Sequence, residues 1–340
     1  MFAPPPTSPS PSRQSPAELP PDLEEPLESA EEQHWTSQED LELNGGGRCR
    51  IYWWTKPKQS GQAREGTENP DVLLCLHGAG DSGVTWSSVA SRLMASENPE
   101  HLTILQAVAA VDLRGHGAFV AESEEADKDL RIERLVSDVL EAATAISTAK
   151  GGAGIVLAGH SLGGAVATRV AAAGLQRKPP LRVRSVLMLD AVEGTAIDGL
   201  PRSLAWLRAR PASFRTTEEA IAWATASGML RSPAAAAVSM PSRLKWDAKN
   251  KVYTWRADIL AAGPHLKEAF EGYTQIFVEL KLPRMVVVGG LDHLDGALEA
   301  AHMQGKFKLR VLQHAAGHHL QEDHPHEVAD MLIQYLTGLR

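Results

Sequence analysis

Ile155-Val156-Leu157-Ala158-Gly159-His160-Ser161-Leu162-Gly163-Gly164-Ala165-Val166-Ala167 brings together three local signals. The short apolar run from Ile155 to Ala158 is the kind that forms a strand covered on both faces. The Ala/Val-rich segment from Gly164 to Leu175 reads as a helix. Between them, Gly159-His160-Ser161-Leu162-Gly163 matches G-x-S-x-G. A serine on so sharp a strand-to-helix turn sits in a strained conformation, and its neighbours must be small, which the glycines supply. Such a turn presents Ser161 at the C-terminal edge of a sheet, with its oxygen above a helix N-terminus. The bare pattern is common by chance and also fits an ordinary Gly/Ser turn. The strand before it and the helix after it make Ser161 a candidate nucleophile.

Working outward, similar apolar runs appear at Val72–Leu76, Ile104–Val111, Val183–Leu189 and Met285–Val288, with a last one from about Phe307 to Leu312. A β-rich run, Arg48–Trp54, precedes them. Helix-like segments lie between, at Leu130–Ser147 and, at the end, His326–Leu336. Strands alternating with helices predict an α/β fold with a mainly parallel central sheet flanked by helices. Residues 194–282 are too many for a simple crossover. They include the capping-box pattern Thr216-Thr217-Glu218-Glu219 running into Ala220-Ile221-Ala222-Trp223, and read as a helical cap or lid insert. One domain is expected over residues 34–340. Residues 1–33 are Pro/Ser-rich and then acidic, and are expected to be a disordered tail, either a solvated spacer or a docking segment. There are no internal repeats.

The charge is unevenly placed. The 340 residues carry 34 basic and 42 acidic side chains, a net of −8. Residues 1–47 hold ten of the acidic and one of the basic, so the rest of the chain, with 33 basic and 32 acidic, is nearly neutral. Nothing there predicts a nucleic-acid partner. No apolar run reaches the roughly 18–20 residues of a membrane helix, so no membrane partner is expected. Cys49 and Cys75 cannot build a disulfide framework, which suits a reducing compartment. With no signal-peptide pattern and no clear basic cluster, the expected location is cytoplasmic, nuclear or both.

In such a fold the remaining chemistry belongs at strand ends. His77-Gly78-Ala79-Gly80 follows a strand and resembles a loop that lends a backbone N–H to an oxyanion hole. Ala79 is the favoured donor, Gly78 its alternative, and Leu162 supplies the second N–H. The general base should be a late histidine, from His314, His318, His319, His324 and His326. His318 follows Gly317 just past the last strand, with His319 its rival; the others read as surface residues. No Cys or H-E-x-x-H pattern supports a zinc site here, and the chemistry needs neither metal nor cofactor. For the acid, Asp190 and Asp292 each end a strand run on the same edge, and spacing leaves both open, with Asp295 a third candidate.

Five further stretches carry a resemblance. They are Asp112-Leu113-Arg114-Gly115-His116-Gly117, Asp190-Ala191-Val192-Glu193-Gly194-Thr195-Ala196, residues 208–214 (RARPASF), Tyr253-Thr254-Trp255-Arg256 and Met303-Gln304-Gly305-Lys306-Phe307. With the serine turn, they resemble the protein phosphatase methylesterases, a family of the α/β-hydrolase superfamily, from about Trp35 onward. The resemblance implies an esterase that removes the methyl ester from the C-terminal leucine of the type 2A serine/threonine phosphatase catalytic subunit. It implies Ser161 as nucleophile, His318 as base and Asp190 as acid, leaving Asp292 a structural role. It also implies a protein-docking surface, for which Trp206, Trp223 and Trp246 of the insert are candidates, though aromatics there are more often core. One departure is that Met240–Val252 is short and carries Lys245, Lys249 and Lys251, where the family's animal members have a long acidic insert. Two other readings are a small-molecule carboxylesterase or lipase of the same fold, and a phosphatase-binding scaffold.

Overall fold

Apolar strands need cover on both faces, and the helices supply it. The computed structural model describes residues 35–55, 70–95, 104–312 and 317–339; the acidic tail expected at 1–33 lies outside them. In chain order the strands are β1 (Ser37–Glu42), β2 (Arg48–Thr55), β3 (Asp71–Leu76), β4 (Leu105–Val111), β5 (Ile155–His160), β6 (Val183–Leu189), β7 (Ser213–Phe214), β8 (Leu244–Asp247), β9 (Val252–Trp255), β10 (Arg284–Val288) and β11 (Lys308–Val311). The helices are α1 (Ser87–Ala95), α2 (Glu124–Asp127), α3 (Ile132–Ala149), α4 (Leu162–Gln176), α5 (Glu193–Ala209), α6 (Thr217–Ala226), α7 (Pro233–Ser239), α8 (Gly263–Phe270), α9 (Tyr273–Glu279), α10 (Gly296–Met303), α11 (Leu320–Asp323) and α12 (Pro325–Thr337).

Among the described residues, the central sheet has eight strands in the order β1-β2-β4-β3-β5-β6-β10-β11. The β1–β2 and β2–β4 pairings are antiparallel and the rest are parallel. Alternate residues of one strand go to opposite cores, as the two-residue repeat of a strand requires. Val72, Leu74 and Leu76 join the apolar cluster of Leu135 and Val139 on α3 and Val166 and Val170 on α4. Leu73 and Cys75 join that of Leu93 on α1 and Leu332 on α12. Because β3 lies between β4 and β5, the chain order reverses there. Such a switch point leaves a crevice at the strands' C-terminal ends. The ends of β3, β5, β6 and β10 all deliver their loops to that edge.

The insert between β6 and β10 is not purely helical. Helices α5 to α9 accompany a three-stranded antiparallel sheet, β7-β9-β8. The sequence hid this sheet because its strands have two to four residues, too few to show a period. A turn in which Asp247 Oδ1 accepts from the N–H groups of Lys249 and Asn250 joins β8 to β9. The insert has its own small core around Phe214, Ala220, Met229, Leu230 and Met240. Trp206 and Trp223 pack together there, and Trp223 also meets Trp255, so these aromatics build that core. Trp246 packs against Tyr253 with the rings tilted by 58°, half-buried. Half of the capping box forms: Thr216 Oγ1 accepts from Glu219 N–H, while the Glu219 carboxylate turns back past the cap to the Arg215 N–H.

Candidate active site

Strand β5 ends in a close backbone approach to α4. Ser161 has φ 50° and ψ −120°, outside the helical and strand regions. Its N–H donates to Leu189 O (3.0 Å) and its carbonyl accepts from Gly164 N–H (2.8 Å). A Cβ at Gly159 would lie 2.1 Å from the Gly163 carbonyl oxygen, and one at Gly163 would lie 2.4 Å from Leu76 O. The glycines are there because backbone meets backbone. Helix α4 starts at Leu162, so Ser161 stands at its N-terminus.

The second strained residue is Asp190, with φ 44°, just past β6. Its N–H donates to Val287 O (2.8 Å), which fixes it between β6 and β10. His318 Nδ1–H donates to Asp190 Oδ2 at 2.7 Å, and His293 Nδ1–H donates to Oδ1 at 3.0 Å. Burial alone would raise the pKa of this carboxyl, but the two imidazole hydrogen bonds win and hold it well below the usual carboxylate range. Asp190 is therefore an anion throughout the neutral range.

His160, the residue before Ser161, ties His318 to the serine turn. Its Nε2–H donates to the His318 carbonyl (2.8 Å), and the two rings lie 4.6 Å apart. Burial pushes the His160 pKa down to about 4, so the ring is neutral and its proton sits on Nε2. His318 and Asp190 thus meet at the sheet's C-terminal edge, and the bond from His160 holds the His318 backbone to the turn that carries Ser161.

The other sequence candidates go elsewhere. Asp292 is exposed on the turn Leu291–His293, and the residue after it, His293, is the one that reaches Asp190. As an alternative acid Asp292 is therefore displaced. Asp295 caps α10 through Leu298 N–H and also accepts from Gly194 N–H, both at 2.9 Å. His319 is buried with Nε2 3.4 Å from Asp81 Oδ1. His324 is half-buried at the start of α12, and His326 is exposed. His314 lies outside the described residues.

Loop 77–80 is braced by two neutral histidines. His77 Nε2 accepts from Leu113 N–H (2.9 Å), and His116 Nε2 accepts from Gly80 N–H (2.9 Å). Burial pushes their pKa values down to about 3 and about 4, so the accepting nitrogens stay unprotonated. Asp112 adds bonds to Gly83 N–H, Ala118 N–H and the Tyr52 hydroxyl. The Asp112–Gly117 stretch is thus the brace of this loop. Among the described residues, the N–H groups of Gly78, Ala79 and Leu162 have no hydrogen-bond partner. A Cβ at Gly80 would face Ile259 of the insert at 3.5 Å, so the insert covers the loop.

Beneath the site lies a buried ion cluster. Arg243 bridges Asp81 (2.9 Å) and Glu322 (2.5 Å), with His319 alongside. Burial raises the Asp81 pKa, but Arg243, with His319, more than offsets this and holds it well below normal. Burial lowers that of His319, yet Asp81 wins and holds it above normal. Asp81, His319 and Glu322 could present three ligand atoms to a metal ion. The Arg243 guanidinium already bonds both carboxylates.

The Asp190–Ala196 stretch binds its surroundings through each polar residue. Glu193 accepts from Gly272 N–H (2.7 Å) and Thr274 N–H (2.9 Å), fixing α9. Gly194 N–H meets Asp295, and Thr195 Oγ1–H donates to His293 O (2.6 Å). The role of His293 had no local signal: it adjoins Asp292, and spacing does not say which of two neighbours turns inward.

Comparison with known proteins gives the family. Residues 73–331 match the alpha/beta hydrolase family. A Caenorhabditis elegans protein named "Probable protein phosphatase methylesterase 1" is 36% identical over 266 residues, covering 78% of this chain and 68% of that one. The chain belongs to the protein phosphatase methylesterase family of α/β hydrolases. The Mus musculus protein phosphatase methylesterase 1 is 30% identical over 352 residues, covering 91% of this chain and 84% of that one. Among solved structures, E-2-(acetamidomethylene)succinate hydrolase superposes with a TM-score of 0.66 at 17% identity, covering 88% of this chain and 98% of that one. That similarity shows the fold alone. Family membership and fold agree with a serine carboxylic ester hydrolase.

Proposed function

We propose that this chain is a serine carboxylesterase that removes the methyl ester from the C-terminal leucine of the type 2A phosphatase catalytic subunit. The methylesterase names of its relatives support action on a protein phosphatase. The observation that carries the chemistry is His318 Nδ1 held by Asp190 at 2.7 Å, with the His318 carbonyl bonded to His160, the residue before Ser161. His318, oriented through Nδ1, presents Nε2 as the base. It takes the Ser161 proton as Oγ attacks the ester carbonyl. The N–H groups of Leu162 and of Ala79, or Gly78, receive the developing oxyanion. His318 then protonates departing methanol, and water repeats the cycle on the acyl-enzyme to free the carboxylate. Asp190 stays ionised and stabilises the imidazolium.

The test uses carboxymethylated phosphatase catalytic subunit and, in parallel, a short-chain ester. Demethylation is expected, with loss of about 10³-fold or more in turnover for Ser161→Ala and for His318→Ala. Near-normal ester turnover by Ser161→Ala would remove the serine assignment. Fast turnover of the small ester with no demethylation would reassign the enzyme to small-molecule esters. Stable phosphatase binding with neither activity would leave a scaffold.

A further inference from the structure

Asp190 serves two histidines, and the mechanism above uses one. His293 takes the oxygen that His318 leaves free, at 3.0 Å. Its backbone is fixed as well, since the His293 carbonyl accepts from Thr195 Oγ1–H on α5. The ring is four-fifths covered, while His318 is more open at 32% side-chain exposure.

We infer that His293 is a positioning residue for the esterase: it anchors the free oxygen of Asp190, and its own proton tunes that carboxylate's hold on His318. This rests on the Ser161–His318–Asp190 reading. A carboxylate with one oxygen bonded can rotate away from its histidine. Bonded at both oxygens, it can hold His318 in one orientation, as a base must be held. Among the described residues, the groups around His293 leave Asp190 as its side-chain partner. Glu193 is committed to the N–H groups of Gly272 and Thr274, and Asp295 to those of Gly194 and Leu298. Asp292 on the same turn is exposed, and the buried Tyr273 hydroxyl is kept neutral by desolvation. The hydrogen bond to Asp190 raises the His293 pKa, so on acidification this ring takes up a proton beside the same carboxylate. That positive charge lies against the carboxylate that holds His318 and so changes the field along that hydrogen bond. The acid limb of activity is thereby held at lower pH than Asp190 alone would set.

The experiment compares His293→Ala and His293→Asn with the wild type on p-nitrophenyl acetate from pH 5 to 9. In the Ala variant, kcat should fall roughly tenfold with KM within about twofold, the scale of one lost hydrogen bond. The Asn amide can donate to Asp190 but cannot titrate. It should restore most of kcat, yet its acid limb should move up by about half a pH unit or more, the effect of one charge lost nearby. An unshifted acid limb in the Asn variant overturns the inference, as does an unchanged kcat in the Ala variant. If the Ala variant does not fold, the Asn acid limb decides. Ser161→Ala, run alongside, separates the two levels. Activity retained there defeats the triad reading itself. Activity lost there, with His293 variants that behave as wild type, defeats this inference alone.

Discussion

At the scale of single residues, two strained backbones carry the site, and each is held by something specific. Ser161 and Asp190 both have positive φ, a cost of about 1–3 kcal/mol each that the surroundings must offset. For Ser161 the surroundings are glycines whose missing side chains let β3, β5 and α4 touch. Gly163→Ala would put a methyl 2.4 Å from Leu76 O, a backbone atom with nowhere to go. The turn would have to open. The expected result is a loss of about 3–5 kcal/mol in urea unfolding, together with ester turnover. A variant as stable as wild type would show that the turn tolerates a Cβ. Asp190 gives a second test, because its rival Asp292 stands exposed at the end of a neighbouring loop. Asp190→Asn should lower kcat about 10³- to 10⁴-fold by removing the orienting anion. Asp292→Asn should stay within about threefold. The reverse order would move the acid to Asp292.

At the scale of loops and strands, what the sequence shows and what it hides divide by distance along the chain. The serine turn was legible because strand, glycines and helix sit within a few residues of each other. The central strands were legible because cover on both faces leaves near-continuous apolar runs. The braces were not. His116 meets Gly80 across 36 positions, and Arg243 meets Asp81 across 162, with no local pattern to mark either. Spacing could bring Asp190 and Asp292 to the same edge but could not aim their side chains; only the family resemblance chose between them. The braces have a measurable consequence. His77, His116 and His160 are neutral because burial pushes their pKa values down to about 3, 4 and 4. In the unfolded chain they titrate near 6.5. Below about pH 6.5 the unfolded state therefore binds protons that the folded state refuses. Stability falls by about 1.4 kcal/mol per pH unit for each of the three. His293 and His319 are shifted upward instead. Their contribution is complete below about pH 6.5 and is lost as pH rises through their raised values. The two groups together predict a stability maximum near neutrality. Urea midpoints measured from pH 8 to 5 should fall on the acid side, and His116→Gln should flatten that fall by about one proton. A midpoint constant down to pH 5 would mean that the buried rings accept protons in the folded state.

At the scale of the whole molecule, two arginines of the insert tie it to the rest of the domain, and they differ in kind. Arg256, from the Tyr253–Arg256 stretch, pairs with Asp127 (2.6 Å) and donates to the carbonyls of Gly117 and Phe119, at the partly exposed edge of the insert. Arg243 lies 1% exposed and joins the insert to Asp81 after β3 and to Glu322 after His318. The same residues reach the active site, because His319 follows His318 and touches Asp81. Insert, loop 77–80 and the histidine loop therefore share one buried set of charges. Arg243→Met removes a cation and strands two carboxylates away from water, at a cost of about 3–5 kcal/mol. Arg256→Met leaves Asp127 near solvent and should cost about 1–2 kcal/mol. Adding Glu322→Gln to Arg243→Met should recover part of the loss, since one fewer buried charge then lacks a partner. The arginine also predicts an effect of metal. Asp81, His319 and Glu322 have the ligand types a zinc ion takes, yet the guanidinium bonds both carboxylates. Zinc should leave the melting temperature of the wild type unchanged, because binding would have to displace a fully paired cation. A rise in melting temperature with zinc would show that Arg243 can be displaced, and so would weaken the case that it fixes the insert. If Arg243→Met melted no earlier than Arg256→Met, the buried cluster would not be what joins the insert to the catalytic loops.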